Sequence, residues 1–133
     1  GAEGLLEMAA QCRYLVCVLP LTDETRGIIN GDLVSAMPRG GYVINIARGG
    51  HQVDEDLLAA LDSGQLGGVF LDVFNEEPLP SIHPLWLHDK VWMTPHVAGE
   101  LMPRSCAKSV AANIRRIEAG EPVPDLFDKT RGY

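Results

Sequence analysis

YVINIARGGHQVDEDLLAALDSGQLGGVFLDV, residues 42–73, is the stretch whose reading decides the fold. It opens on a short apolar run, YVINI (42–46), and closes on another, GVFLDV (68–73), each of which reads as a buried strand. Between them a helix starts at Asp54 with acids in its first turn, where carboxylates face the positive end of the peptide dipoles. It stops at Gly64, because glycine enters the left-handed conformation without a Cβ clash. GQLGG (64–68) has the wrong spacing for a dinucleotide turn and precedes a strand, so it reads as a helix stop and a turn. Strand, helix of about ten residues and strand make a right-handed crossover whose two strands run parallel.

The same alternation continues in both directions. Upstream, residues 3–10 read as a helix, YLVCVL (14–19) as a strand closed by Pro20, and Asn30 as the cap of a helix through about Met37. Downstream, HPLW (83–86) predicts one helical turn and VWM (91–93) a last short strand. From Met102 to Glu118, Cys106, Val110, Asn113, Ile114 and Ile117 recur at helical spacing until Gly120 and Pro122 end the pattern, and the tail VPDLFDKTRGY reads as extended. The predicted fold is α/β with a mostly parallel sheet, in which ligands sit beyond the carboxyl ends of the strands. LPLTDET, ARGG, DVFNEEP and TPHVAG follow the four strands, which brings every candidate chemical group to one rim.

A length of 133 residues suits one domain. The net charge of −7 repels phosphate backbones and anionic bilayers, so nucleic acid and membranes are not expected partners. Cys12, Cys17 and Cys106 are odd in number without metal-ligand spacing, as expected of reduced thiols in a cytoplasmic protein. No apolar run approaches membrane-spanning length, and GAEGLLEMAAQCR lacks the layout of a signal peptide.

Arg48 follows a buried strand between Ala47 and two glycines, which would let a ligand approach the backbone while the guanidinium offers paired donors to a carboxylate. The competing reading is a surface salt bridge. His96 follows Pro95, which restricts Thr94 to extended backbone, and an imidazole donates and accepts protons near neutrality. Glu77 is the expected carboxylate partner of that ring, with Glu76 a solvated neighbour. Asp72 ends an apolar strand, either as a turn-former or as an acceptor for a ligand amide. His83 and His88 read as surface residues, His51 is open, Trp86 and Trp92 read as packing residues, and no motif such as His-Glu-x-x-His supports a metal.

VLPLTDETRGIIN, MPRGGYVINIARG, VDEDLLAALDSGQLGGVFLDVFNEEPLP, HPLW and TPHVAG, in that order, resemble the D-isomer-specific 2-hydroxyacid dehydrogenases over nearly the whole chain. Within that family the chain is most similar to the glyoxylate/hydroxypyruvate reductase A group, on ARGGHQVDEDLLAALDSG, PLPSIHPLW and the terminal RGY. The resemblance implies a doubly wound, Rossmann-like nucleotide-binding domain and reduction of a small 2-oxo acid to the D-2-hydroxy acid by NADPH or NADH, with NADPH favoured. It implies that Arg48 binds the substrate carboxylate, His96 is the proton donor and Glu77 holds the imidazole. Leu19, Pro20, Thr25, Ile46, Ala47, Arg48, Asp72, His96 and Gly99 would line the cofactor. The chain departs from the family in lacking the glycine-rich fingerprint, the strand after it and the substrate-domain segment. It is therefore expected to be a carboxyl-terminal part, with 1–101 the second half of the nucleotide domain and 102–133 a helix and tail returning to the substrate domain. Such a part would be inactive by itself, and the full protein a homodimer. The alternatives are a phosphoglycerate or lactate dehydrogenase, or a noncatalytic binding or assembly module.

Overall fold

A computed structural model of the chain describes residues 2–99, 102–124, 126–128 and 130. The expected domain boundary at Leu101 and the terminal Arg131, Gly132 and Tyr133 lie outside the described residues. Two units are present, residues 1–98 and 99–133.

In the first unit, helix α1 (Ala2–Ala9) leads to strand β1 (Tyr14–Cys17), α2 (Gly31–Ala36), β2 (Gly41–Asn45), α3 (Asp54–Asp62), β3 (Leu66–Leu71) and β4 (Val91–Met93). Short 3-10 turns stand at Gly49–His51 and Pro84–Leu87. The four strands pair in sequence order, all parallel.

Local chemistry accounts for most boundaries. Asn30 Oδ1 accepts from the Leu33 amide at 3.1 Å and starts α2, which ends before Pro38. Asp54, Glu55 and Asp56 fill the first turn of α3, and Gly64 has φ +72° just beyond its end. Strand β1 is two residues shorter than expected. Its pairing with β2 ends at Cys17–Asn45, so Val18 and Leu19 leave the sheet exposed. Strand β3 begins and ends two residues early, at Leu66 and Leu71, so Gly67 joins Gly68 in the strand. A Cβ on Gly68 would stand 2.5 Å from the Trp92 ring, and one on Gly67 2.7 Å from the Gly40 carbonyl oxygen, so glycine here makes room for neighbouring strands.

One sheet face points Leu15, Cys17, Val43, Val69 and Leu71 into a core shared with Leu33, Val34, Leu57 and Leu61 of the helices. Each fully buried leucine contributes about 1.5–3 kcal/mol. The opposite face carries Tyr14, stacked on Tyr42 at 5.2 Å, with Val16 and Trp92, and the three residues Tyr14, Val16 and Trp92 are exposed. In the second unit α4 (Pro103–Glu118) begins with proline in its first turn and carries Arg115 and Arg116 in its last. Val110, Ile114 and Ile117 are exposed along it, and Gly120 follows it with φ +70°. Among the described residues, no helix is long and apolar enough to cross a membrane.

Candidate active site

Because all four strands are parallel, their carboxyl ends share one edge, and the expected rim is present there. Asn45 ends β2, and its side chain shapes the turn into Arg48. Asn45 Oδ1 accepts from the Ala47 amide at 3.1 Å, while Nδ2 donates to the Arg48 carbonyl at 3.0 Å and to Gln52 Oε1 at 2.7 Å. Arg48 then lies in extended backbone with its side chain exposed, one guanidinium nitrogen donating to the Ala47 carbonyl at 2.6 Å.

The two glycines after Arg48 are also needed for the chain's own packing. A Cβ on Gly49 would fall 1.9 Å from both the carbonyl carbon and the oxygen of Phe74 and 2.5 Å from the Asn75 nitrogen. One on Gly50 would fall 2.9 Å from the Leu21 side chain. The chain's own backbone fills the space on the Cβ side of Gly49. That contact seats the Arg48 turn directly on the turn that carries Glu77.

Glu77 is fixed at both oxygens. Oε1 accepts from the Phe74 amide at 2.9 Å and Oε2 meets His96 Nδ1 at 2.8 Å. The hydrogen bond from His96 and then that from Phe74 hold the Glu77 carboxyl below its ordinary value. A smaller opposing effect of burial is outweighed, and the charges of His96 and Arg48 add to the lowering. Both partners keep a third to a half of their side chains in solvent, at 36% for Glu77 and 45% for His96. With Nδ1 engaged, the His96 ring has Nε2 left for chemistry.

His96 has φ +56°, a left-handed backbone conformation that costs a residue with a Cβ about 1–2 kcal/mol. Asp72 holds it there. The Asp72 carbonyl accepts from the His96 amide at 2.8 Å, and its carboxylate takes the Thr94 hydroxyl at 2.5 Å, the Val97 amide at 2.9 Å and the Ala98 amide at 3.0 Å. Burial opposes ionisation of Asp72, but Thr94, Ala98 and Val97, with the nearby His96, outweigh it and hold the carboxyl below its ordinary value. These contacts are those of a turn-former, and Oδ2 accepts one of them, from Ala98.

Pro20 and Thr25 belong to one loop, with Thr25 Oγ1 donating to the Pro20 carbonyl at 2.8 Å. Leu19 is exposed beside them, Ile46 and Ala47 lead into Arg48, and Gly99 begins the second unit. His83 and His88 are not loose surface residues. His83 Nδ1 accepts from the Leu85 amide at 3.3 Å and its Nε2 lies 3.6 Å from Asp54; His88 Nδ1 accepts from the Lys90 amide and its Nε2 lies 3.5 Å from Asp62. In each case a backbone amide two residues on and a carboxylate on α3 hold the ring. Trp86 is half exposed and, with Phe74, Leu79 and Met93, lines an apolar cavity of about 460 Å³ bordered by Glu77 and His96. Sequence reasoning passed over Asn45, whose signal was a polar residue ending an apolar strand, and left His51 open; both are fully buried.

Residues 2–98 match the D-isomer specific 2-hydroxyacid dehydrogenase NAD-binding domain. Among solved structures, the chain is similar to a D-isomer specific 2-hydroxyacid dehydrogenase from Xanthobacter autotrophicus Py2 in complex with NADPH and MES. The two are 47% identical over 100% of this chain and 55% of that one, with a TM-score of 0.95. It is also similar to an NADPH-dependent glyoxylate/hydroxypyruvate reductase from Sinorhizobium meliloti in complex with NADP and sulfate, 42% identical over 99% of this chain and 43% of that one, with a TM-score of 0.92. A family protein from Klebsiella pneumoniae 342 is 43% identical over 98% of this chain and 42% of its own, with a TM-score of 0.88. The chain thus spans about half the length of these structures. An exposed guanidinium and an imidazole with one engaged nitrogen are donors of the kind that would suit a carboxylate and a carbonyl oxygen held beside such a cofactor's nicotinamide.

Proposed function

The chain belongs to the D-isomer specific 2-hydroxyacid dehydrogenase family, and from that premise we propose that it supplies the catalytic half of an enzyme reducing glyoxylate or hydroxypyruvate to the D-2-hydroxy acid with NADPH. The observation that supports this reading most is the 2.8 Å contact of His96 Nδ1 with Glu77 on the rim that also carries Arg48.

Arg48 binds the substrate carboxylate through paired N–H donors and polarises the adjacent carbonyl. His96 gives the proton on Nε2 to the carbonyl oxygen as negative charge develops there. Glu77 keeps the ring turned so that Nε2 faces the substrate. When bound, the nicotinamide supplies the hydride. Leu19, Pro20, Thr25, Ile46, Ala47 and the turn from His96 to Gly99 receive the cofactor, with Asp72 at the nicotinamide amide.

In the same proposal residues 1–101 are the second half of the nucleotide domain and 102–133 return to a substrate domain. The aromatic sheet face around Tyr14 and Trp92 supports a larger assembly, since all-parallel sheets are covered on both faces. The complete enzyme is then a cytoplasmic homodimer, and the chain alone, lacking the other wall of the cleft, is inactive.

Steady-state reduction of a 2-oxo acid panel with NADPH and NADH, by this chain alone and extended by whatever precedes it in the native protein, tests the reading. Glyoxylate and hydroxypyruvate should lead the panel, in the extended form only. Preference for 3-phosphohydroxypyruvate or pyruvate would shift the substrate assignment to the phosphoglycerate or lactate type, and absence of any reduction by the extended form would end the enzymatic reading.

A further inference from the structure

His51 is fully buried, and no step of the proposed reduction uses it. Its Nδ1 lies 2.9 Å from the Arg48 carbonyl oxygen and its Nε2 3.3 Å from the Pro20 carbonyl oxygen, 31 positions away. Each of those carbonyls has a second side-chain donor, Asn45 for Arg48 and the Thr25 hydroxyl for Pro20. The backbone draws the same loops together, with the Gly27 amide donating to the Gly50 carbonyl at 2.9 Å and the Ile29 amide to the His51 carbonyl at 2.8 Å.

Resting on the assignment of the chain to a 2-oxo acid reductase, we infer that His51 is a positioning residue that ties the Pro20–Thr25 loop to the Arg48 turn, holding the cofactor side and the substrate side of the cleft in one register. Carbonyl oxygens only accept, so the ring must be the donor in both contacts. A tie through both contacts therefore needs a proton on each ring nitrogen, because a neutral ring bonds one carbonyl and turns a lone pair toward the other. Doubly protonated, the fully buried ring donates at once to the carbonyl beside the guanidinium-bearing Cα and to the carbonyl of Pro20. A shift of that Cα by an ångström would carry the guanidinium away from the substrate carboxylate.

The test uses His51→Asn, which keeps a donor near the Nδ1 position, His51→Gln, which keeps one near Nε2, and His51→Leu, which keeps neither, all in the full protein. NADPH Kd by nicotinamide fluorescence, KM for glyoxylate and Tm are measured for each, with the ¹⁵N spectrum of the wild-type ring. His51→Asn is expected to hold the glyoxylate KM within about twofold while NADPH Kd rises by at least about tenfold, the worth of one hydrogen bond from a charged donor. His51→Gln should show the reverse, and His51→Leu should raise both. Changes in both constants that merely follow Tm, or constants that do not move, would overturn the inference. Should the variants fail to fold, the wild-type spectrum decides: protons on both ring nitrogens support the tie, and a ring protonated on one nitrogen alone refutes it. A wild type that reduces no 2-oxo acid sinks the functional reading, while Kd and the ring spectrum still judge His51.

Discussion

Gly49→Ala should be the most damaging single methyl that can be added to this rim. A Cβ there meets the Phe74 carbonyl carbon and oxygen at 1.9 Å, and an ordinary contact begins at 3.4 Å, so one backbone must retreat by 3.4 − 1.9 = 1.5 Å. Neither side is a flexible side chain. The Phe74 amide anchors Glu77, and Asn45 and His51 anchor the Arg48 carbonyl, so the retreat separates the two turns that carry the proposed acid/base pair and the guanidinium. Overpacking of this kind costs about 1–3 kcal/mol, which for a unit of roughly a hundred residues lowers Tm by about 4–20 °C. A displacement of an ångström at a catalytic group also costs about a hundredfold in rate. Thermal unfolding and kcat/KM for glyoxylate should therefore both fall. Gly4→Ala is the control, since nothing lies within 4 Å of its Cβ in α1, and it should leave Tm unchanged or raised by the helix preference for alanine. A Gly49→Ala protein that melts within a degree of wild type would refute the packing argument.

Arg48→Ala is expected to raise KM and lower kcat together, whereas His96→Ala should mainly lower kcat; steady-state kinetics showing full kcat in the His96 variant would remove it as proton donor. Glu77→Gln keeps the shape but loses the charge beside His96. A charge-assisted bond is worth about 1.5–3 kcal/mol, which solvent screening of so exposed a pair reduces to about 1, so kcat/KM for reduction should fall about fivefold. An unchanged kcat/KM in steady-state kinetics would count against the pairing. Asp72 has a lowered carboxyl value when folded, so its stabilisation is complete above the ordinary carboxylate range and is lost as pH falls through the lowered value. Melting curves across about pH 5 to 2 should show that loss in wild type and less of it in Asp72→Asn, which at neutral pH should already be destabilised by about 1–3 kcal/mol.

The alternation of strands and helices, the helix cap at Asn30, the stop at Gly64 and the gathering of Arg48, Asp72, Glu77 and His96 on one rim were all legible in the amino-acid order. These are local facts. A strand buried on both sides is an apolar run, a cap is one side chain reaching its own backbone, and a parallel sheet brings every residue after a strand to the same edge. Tertiary structure alone decided that the space beside Gly49 belongs to the Phe74–Asn75 backbone, that Gly67 and Gly68 yield to neighbouring strands, that Asp72 is turned onto the His96 turn, and that His51, left open by the sequence, joins Pro20 to Arg48. Those contacts link residues 22 to 31 positions apart in the chain. Their existence depends on how closely separate backbone segments pack, a distance of a few tenths of an ångström that no local pattern of polarity encodes.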